Sequence, residues 1–472
     1  MTPHPINLIP LLPHKKPILP TKQHYLKIKK LMKIDQSKPC VIYMKGKSEA
    51  TRDDTDIGLE FRQESYFFYL TGIDEPNFQV IIDIQEDKIY LIAPSDISNE
   101  DDVIWKGPKI NMTELLERYD VDEILAESEI SQLLAKLNPT TVYVLKNKTQ
   151  YINAFNLISS GNLRFDIDNQ QLLRAMDEAR LTKFQWEIEM IRQAAQGSSE
   201  AHVALMKQCQ PGMTEAHLAA LFRWSCALNG IYKQAYLPIV ASGPRASILH
   251  HAPRYDQHIP TNSLVLVDAG GEKLCYGSDI TRTFPVQGVF STEARVVYSI
   301  VLKMQKVVLS RLKPGVYWED MQQLAIEVLC KELVRIGILV GDINLLIEQN
   351  VPCAFYYHGL GHTLGLDVHD VGGKDTLSDN PQFLLGRPLE TNMVLTVEPG
   401  LYFNDSMLSI WTEYPGYQDF FNMDVLDQYR SIGGVRIEDT VVITQDGYEN
   451  LTKAPKEIDE IEAIMKKYTP TC

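Results

Sequence analysis

The chain has 472 residues, with 46 basic against 61 acidic side chains and a formal net charge of -15. That balance opposes nonspecific binding to nucleic acid or to an anionic membrane surface, and no basic stripe offsets it. The length exceeds that of an ordinary single domain and implies two, with room for a large core.

The N-terminal stretch MTPHPINLIPLLPHKKPILP interrupts its short apolar run with prolines and offers no small-residue cleavage site. No later segment is apolar over enough residues to span a bilayer, so a cytoplasmic protein without membrane association is expected. Cys40, Cys209, Cys226, Cys275, Cys330, Cys353 and Cys472 are scattered, odd in number and without CxxC spacing. They fit reduced thiols in an intracellular protein and exclude a zinc finger. The glycosylation-like triplet at Asn111 carries no meaning in that compartment.

From about His24 to Phe165, strand-like runs (CVIYM, FQVIIDI, KIYLIAP, TVYVL) alternate with helical ones (MTELLERY, ISQLLAKL), the pattern of an α/β layer domain. A long helix is then expected within RAMDEARLTKFQWEIEMIRQAAQGSSEAHVALM, with Ile188, Ile191, Ala195 and Ala201 on one face. These readings place a domain boundary near Leu173, giving an N-terminal domain 1–173 and a second domain 174–472.

The second domain contains an internal repeat. QPGMTEAHLAALFRWSCALNGI and KPGVYWEDMQQLAIEVLCKELVRIGI share a Pro-Gly, a helix and a Gly-Ile exit, and each follows a long amphipathic helix. In the second copy that helix starts at Ser291 as N-cap. It sets Val297, Val301, Met304, Val308 and Leu312 on one stripe before Pro314-Gly315 ends it. Each unit is followed by a strand pair carrying two carboxylates. Helix, Pro-Gly, helix and strands, twice over, predict an α+β domain with pseudo-twofold symmetry and the functional groups at the joint.

In SLVLVDAGGEKLCYGSDITRTFPV two apolar, β-branched runs flank a Gly-Gly turn region and read as antiparallel neighbours carrying Asp268 and Asp279. MVLTVEPGLYF and GGVRIEDTVVIT are further extended runs, each interrupted by one glutamate, Glu398 and Glu438. Ionised carboxylates inside apolar strands are costly unless they meet a cation, and four together repel. A pair of divalent ions about 3.5–4 Å apart removes both penalties. Hard oxygen donors with one imidazole, His362, suit Mn²⁺, Co²⁺ or Zn²⁺.

His362 lies in HGLGH, four residues after His358, but the glycines indicate a loop and not the helical HExxH zinc motif. Nor is GLGHTLG a nucleotide loop, since its glycine spacing is wrong and no strand directly precedes it. Arg436, two residues before Glu438 on one strand, is expected to share its face, either orienting Glu438, meeting a substrate group or neutralising the acidic cluster.

The motifs DAGG and SDITRTFP, HGLGHTLGLDVHD, TVEPGLYF and GGVRIEDTVVIT, in that order, resemble the pita-bread metallopeptidases, in particular their prolidase and aminopeptidase P branch. DIGLEFRQESYFFYLTG is similar to that branch's small non-catalytic domain. The resemblance implies that Asp268 holds one metal, that Asp279 and Glu438 bridge two, and that His362 with Glu398 completes the second. It implies manganese as the first choice of metal, a metal-bridging hydroxide as nucleophile, and Glu398 as the proton shuttle. His250, His358 and His369 are then substrate-contacting or oxyanion-stabilising imidazoles. The implied substrates are small peptides with proline in second position, and a homodimer is expected. An Xaa-Pro amide lacks the N–H on which ordinary proteases rely, which calls for a dedicated enzyme.

The aromatic segment LSIWTEYPGYQDFFNMDVLDQY resembles eukaryotic prolidases and is expected to close the site beyond the proline, favouring an Xaa-Pro dipeptidase. SDITRTFPV looks closer to aminopeptidase P, the alternative reading. A creatinase-like hydrolase or a catalytically silent binding module would use the same fold.

Overall fold

The computed structural model describes residues 18–35, 37–94, 111–146, 164–372 and 386–466, together with residues 104, 107 and 153. Most of the N-terminal stretch with its prolines, and Cys472, lie outside the described residues. The chain divides into two units after Arg180, where the sequence suggested Leu173. The long helix expected there is two: Gln171–Leu181 and Gln185–Gln208. The break has a local cause. Phe184 is extended (φ -71°, ψ 160°), and the Glu187 carboxylate reaches back to accept from its backbone N–H at 2.7 Å, starting a new helix. Ile188, Ile191, Ala195 and Ala201 of that second helix are buried as expected.

The first unit is built on a mixed six-stranded sheet in the order β4-β3-β2-β1-β5-β6. Its strands are β1 (Cys40–Lys45), β2 (Gln79–Asp83), β3 (Lys88–Ala93), β4 (Glu123–Ala126), β5 (Thr141–Tyr143) and β6 (Asp166–Asp168). The predicted helices are Met112–Arg118, capped by the Asn111 side chain, and Ile130–Leu137. Ile130, Leu133 and Leu134 of the latter pack against Val41, Tyr43, Ile81 and Val142 of the sheet.

The second unit repeats one plan. Helix Gln185–Gln208 is followed by Glu215–Leu228, and helix Thr292–Leu309 by Trp318–Arg335. Ser291 caps the third of these, its side chain accepting from Ala294 N, and Val297, Val301, Met304 and Val308 are buried. Each such side chain contributes roughly 1.5–3 kcal/mol of transfer free energy on burial. The two Pro-Gly turns have nearly one conformation, φ 90° at Gly212 and 89° at Gly315, a left-handed backbone that only glycine adopts without strain. Bridges Thr214–His258 and Tyr317–Pro388 follow the turns in matching places.

After the first helix pair come β7 (Lys233–Gln234), β8 (Ile239–Ser242), β9 (Leu264–Asp268), β10 (Gly271–Lys273), β11 (Tyr276–Gly277) and β12 (Thr281–Pro285). β9 and β12 pair antiparallel as predicted, with Asp268 opposite Thr281, but Asp279 stands just before β12 and not on it. The chain does not turn at the glycines, however. It continues into the β10–β11 hairpin, which turns at Leu274 and Cys275 with φ of 48° and 64°. Two left-handed residues match the twist of a tight hairpin, but neither is of the type that announces one.

After the second pair come β13 (Val394–Val397), β14 (Gly400–Tyr402), β15 (Gly434–Arg436), β16 (Asp439–Ile443) and β17 (Tyr448–Asn450). β13 pairs with β16 and β14 with β15. Glu398 and Glu438 therefore sit at the two breaks where one strand pair gives way to the next, and not within strands. The halves are stitched there: Glu438 N donates to Thr281 O at 3.1 Å, and Thr440 Oγ1 to Asp279 O at 2.8 Å. Among the described residues, no helix is long and apolar enough to cross a membrane.

Candidate metal centre and active site

The strand breaks turn the carboxylates inward. A cavity of about 200 Å³ is lined by His250, Asp268, Asp279, His358, His362, His369, Glu398, Arg436 and Glu438, with Leu249, Gly359 and Gly361. The structure thus brings every side chain selected from the sequence to one place. The HGLGH segment is a loop, and its close approach to β13 demands Gly361: a Cβ there would lie 2.2 Å from Thr396 O. That approach lets His362 N donate to Thr396 Oγ1 at 3.1 Å, and Thr396 N to His362 O at 2.9 Å.

Asp279, His362 and Glu438 each present a ligand atom within 4.8 Å of the others. His362 Nε2 stands 3.4 Å from Asp279 Oδ2 and 3.4 Å from Glu398 Oε1. Its Nδ1 lies 3.0 Å from the Thr363 carbonyl, which can only accept, so the proton belongs on Nδ1 and Nε2 faces the acids. The Tyr236 hydroxyl is 2.5 Å from both Asp268 Oδ1 and Asp279 Oδ1. One phenolic proton cannot satisfy two ionised carboxylates at once.

The electrostatics state the same deficit. Burial pushes the Glu398 carboxyl up to about 7, with His362 and Arg436 opposing and Asp279 and Asp268 adding. Burial and the charges of Asp279, Glu398 and Asp268 drive Glu438 well above the carboxylate range. Burial also raises Asp268, against Arg436. For His362 burial works downward, but Asp279 and Glu398 raise its pKa to about 9. Burial works upward on Asp279 too, but His362 and Tyr236 hold it below the ordinary range. Three acids pushed up and a fourth leaning on an imidazole form a donor set that a divalent cation neutralises, so the residues present fit a metal centre.

Arg436 is spent on protein groups. Nη2 donates to Asp268 Oδ2 at 2.6 Å, Nη1 to the Tyr402 hydroxyl at 3.0 Å and Nε to Thr281 Oγ1 at 3.0 Å. It meets Glu438 only through Thr281, whose hydroxyl donates to Glu438 Oε2 at 2.7 Å. Of the roles considered for it, neutralising the cluster has the contacts. Tyr402 Oη lies 2.8 Å from His358 Nε2, and His358 Nδ1 lies 2.8 Å from the Gly359 carbonyl. Burial, with Arg436 nearby, lowers His358 to about 3. His369 packs edge-on against His362 with ring centres 4.3 Å apart, and burial lowers its pKa to about 4. Both rings are neutral at physiological pH.

The structure adds Tyr236, Thr281, Thr396 and Tyr402 to the site. None was singled out from the sequence, because a tyrosine or threonine in an apolar run reads as ordinary strand. The aromatic segment expected to close the site does not line the cavity among the described residues. It folds into helices Asp405–Glu413 and Met423–Tyr429 and packs elsewhere: Leu339 bridges Phe421, and Val340 N donates to Phe420 O at 2.8 Å. Its aromatic rings turn to one another, as in the Trp411–Tyr417 edge contact, which is why a composition suited to lining a pocket misled.

Residues 189–445 match the model of metallopeptidase family M24, and residues 24–143 that of the aminopeptidase P N-terminal domain. A probable Xaa-Pro aminopeptidase of Uncinocarpus reesii is 37% identical over 467 residues, covering 96% of this chain and 95% of the relative. One of Coccidioides posadasii is 38% identical over 464 residues, covering 95% and 97%. Among solved structures, Pseudomonas aeruginosa aminopeptidase PepP superposes with a TM-score of 0.80 at 31% identity, over 96% of this chain and 99% of that one. Zinc-substituted Escherichia coli aminopeptidase P with product gives 0.80 at 32% identity, over 95% and 99%.

Proposed function

The chain belongs to metallopeptidase family M24, and from that premise we propose that it is an Xaa-Pro aminopeptidase, removing the N-terminal residue from peptides with proline in second position. The observation that carries the length preference is the engagement of Arg436. A dipeptidase must meet the carboxylate of a C-terminal proline, and a cation is the natural partner. Among the described residues lining the cavity, Arg436 is the one cation besides histidines, and each arm of its guanidinium is bonded to protein. A peptide continuing past proline has no such charge to satisfy. The dipeptidase reading rested on the 408–429 segment, which stands away from the cavity.

Asp268, Asp279, His362, Glu398 and Glu438 would hold two divalent ions, with manganese our first assignment for a set of hard oxygens and one imidazole. When bound, such ions supply a water of lowered pKa and a polarised scissile carbonyl. Glu398, with Oε1 toward His362 and Oε2 3.9 Å from His358 Nδ1, stands where it can take a proton from the attacking water and return it to the departing proline nitrogen. His369 offers a neutral N–H donor to the oxygen that gains charge, while His358, its Nδ1–H given to the Gly359 carbonyl and its Nε2 held by Tyr402, is a fixed wall of the site. The test is hydrolysis of Ala-Pro-Ala against Ala-Pro by metal-loaded enzyme. Faster turnover of the tripeptide is expected, and faster turnover of the dipeptide overturns the assignment.

A further inference from the structure

Glu215 occupies the first turn of helix Glu215–Leu228, just after its cap Thr214, where an acidic side chain normally faces solvent and complements the helix dipole. Here its side chain is 0% exposed. Oε1 accepts from Ser242 N at 2.9 Å, Ser242 Oγ at 2.7 Å and Arg245 Nε at 2.9 Å. Oε2 accepts from His251 Nε2 at 2.8 Å and Arg254 N at 2.9 Å. Burial alone would raise this carboxyl, but those bonds hold it below the ordinary range. Every donor belongs to one stretch, residues 242–254, which leaves β8 and presents Leu249 and His250 to the cavity. The two adjacent histidines divide their tasks: His251 turns to the buried carboxylate while His250 lines the site.

We infer that Glu215 is a positioning residue that clamps this loop from both sides and thereby fixes His250 against the peptide, an inference that rests on the peptidase reading. The clamp touches none of the proposed metal donors. Its loss therefore acts on catalysis through His250 and leaves metal occupancy unchanged.

The test is a double-mutant cycle on the full-length, metal-loaded enzyme, run on whichever of Ala-Pro-Ala and Ala-Pro the wild type cleaves. Glu215→Gln removes the charge and turns an amide N–H₂ toward His251 and Arg254 N. It is expected to lower kcat/KM roughly 10- to 100-fold, as a displaced catalytic loop does, with bound metal unchanged and Glu215→Asp recovering part of the loss. In a His250→Ala background the same change is expected to cost less than about 2-fold, since coupled residues are not additive. Equal losses in both backgrounds, or loss of bound metal in Glu215→Gln, overturn the inference. If Glu215→Gln does not fold, Ser242→Ala is carried through the same cycle and decides by the same criterion. Failure of the wild type to cleave either peptide strikes the peptidase reading instead, and is read before any variant.

Discussion

Thr281 Oγ1 stands between Glu438 and Arg436, donating to Oε2 of the first at 2.7 Å and accepting from Nε of the second at 3.0 Å. A single hydroxyl thus relays a buried positive charge to a buried carboxylate. Thr281→Val keeps the shape and removes the relay, leaving the Arg436 Nε–H without its acceptor. The expected cost is about 1–3 kcal/mol of stability, with weaker metal retention, read by thermal melts and by metal titration of the variant. Unchanged values in both would remove the relay from the site.

Tyr236 stands between two carboxylates, 2.5 Å from each, with one proton to give to either. Tyr236→Phe should leave the fold intact and weaken metal affinity by about 10- to 100-fold, the usual effect of deleting a group that holds ligands in place. Competition against a metal-binding dye measures it, and an affinity within twofold of the wild type would contradict it.

Glu398→Gln preserves volume and one ligand oxygen but cannot carry a proton between water and nitrogen. Turnover should be abolished while circular dichroism and the melting temperature stay near wild type. Activity retained after this change would take the shuttle role from Glu398.

Removing the metal should make stability depend on pH. Glu398, with burial as the main cause, is raised to about 7 in the folded chain, and His362, held by Asp279 and Glu398, to about 9. Raised values mean that the folded state binds protons the unfolded state has released. Each contribution is then full below the unfolded pKa, near 4.5 for Glu398 and 6.5 for His362, and is lost as pH climbs through the folded value. Chelator-treated protein should therefore melt at progressively lower temperature from pH 5 to pH 9, and divalent metal should flatten that slope. Parallel profiles with and without metal would refute this.

The site was more legible than the chain that carries it. Charged residues stand out in apolar runs of sequence, so Asp268, Asp279, Glu398 and Glu438 announced themselves, and the Pro-Gly repeat announced the symmetry that brings them together. What stayed hidden was polar structure in disguise. Tyr402 and Thr281 look like strand residues, Glu215 looks like a solvent-facing helix start, and the Leu274–Cys275 turn uses residues that no turn preference selects. The helix break was hidden because the Glu187 carboxylate that caps Phe184 reads as an ordinary helix residue. Hidden too was the pair of Lys183 with Asp370 at 3.0 Å, both side chains 1% exposed, across a sequence distance that no local pattern reports.

The matched Pro-Gly turns have a thermodynamic consequence. One repeat supplies Asp268 and Asp279, the other His362, Glu398 and Glu438, so the donors proposed for the ions come from both halves. Ions bound there would act as a clasp, and binding linkage assigns the folded chain about 2.7 kcal/mol of added stability when free ion stands at 100 times its dissociation constant. Cells with scarce metal would hold a looser protein as well as a less active one, and protease sensitivity would track the supply of the ion.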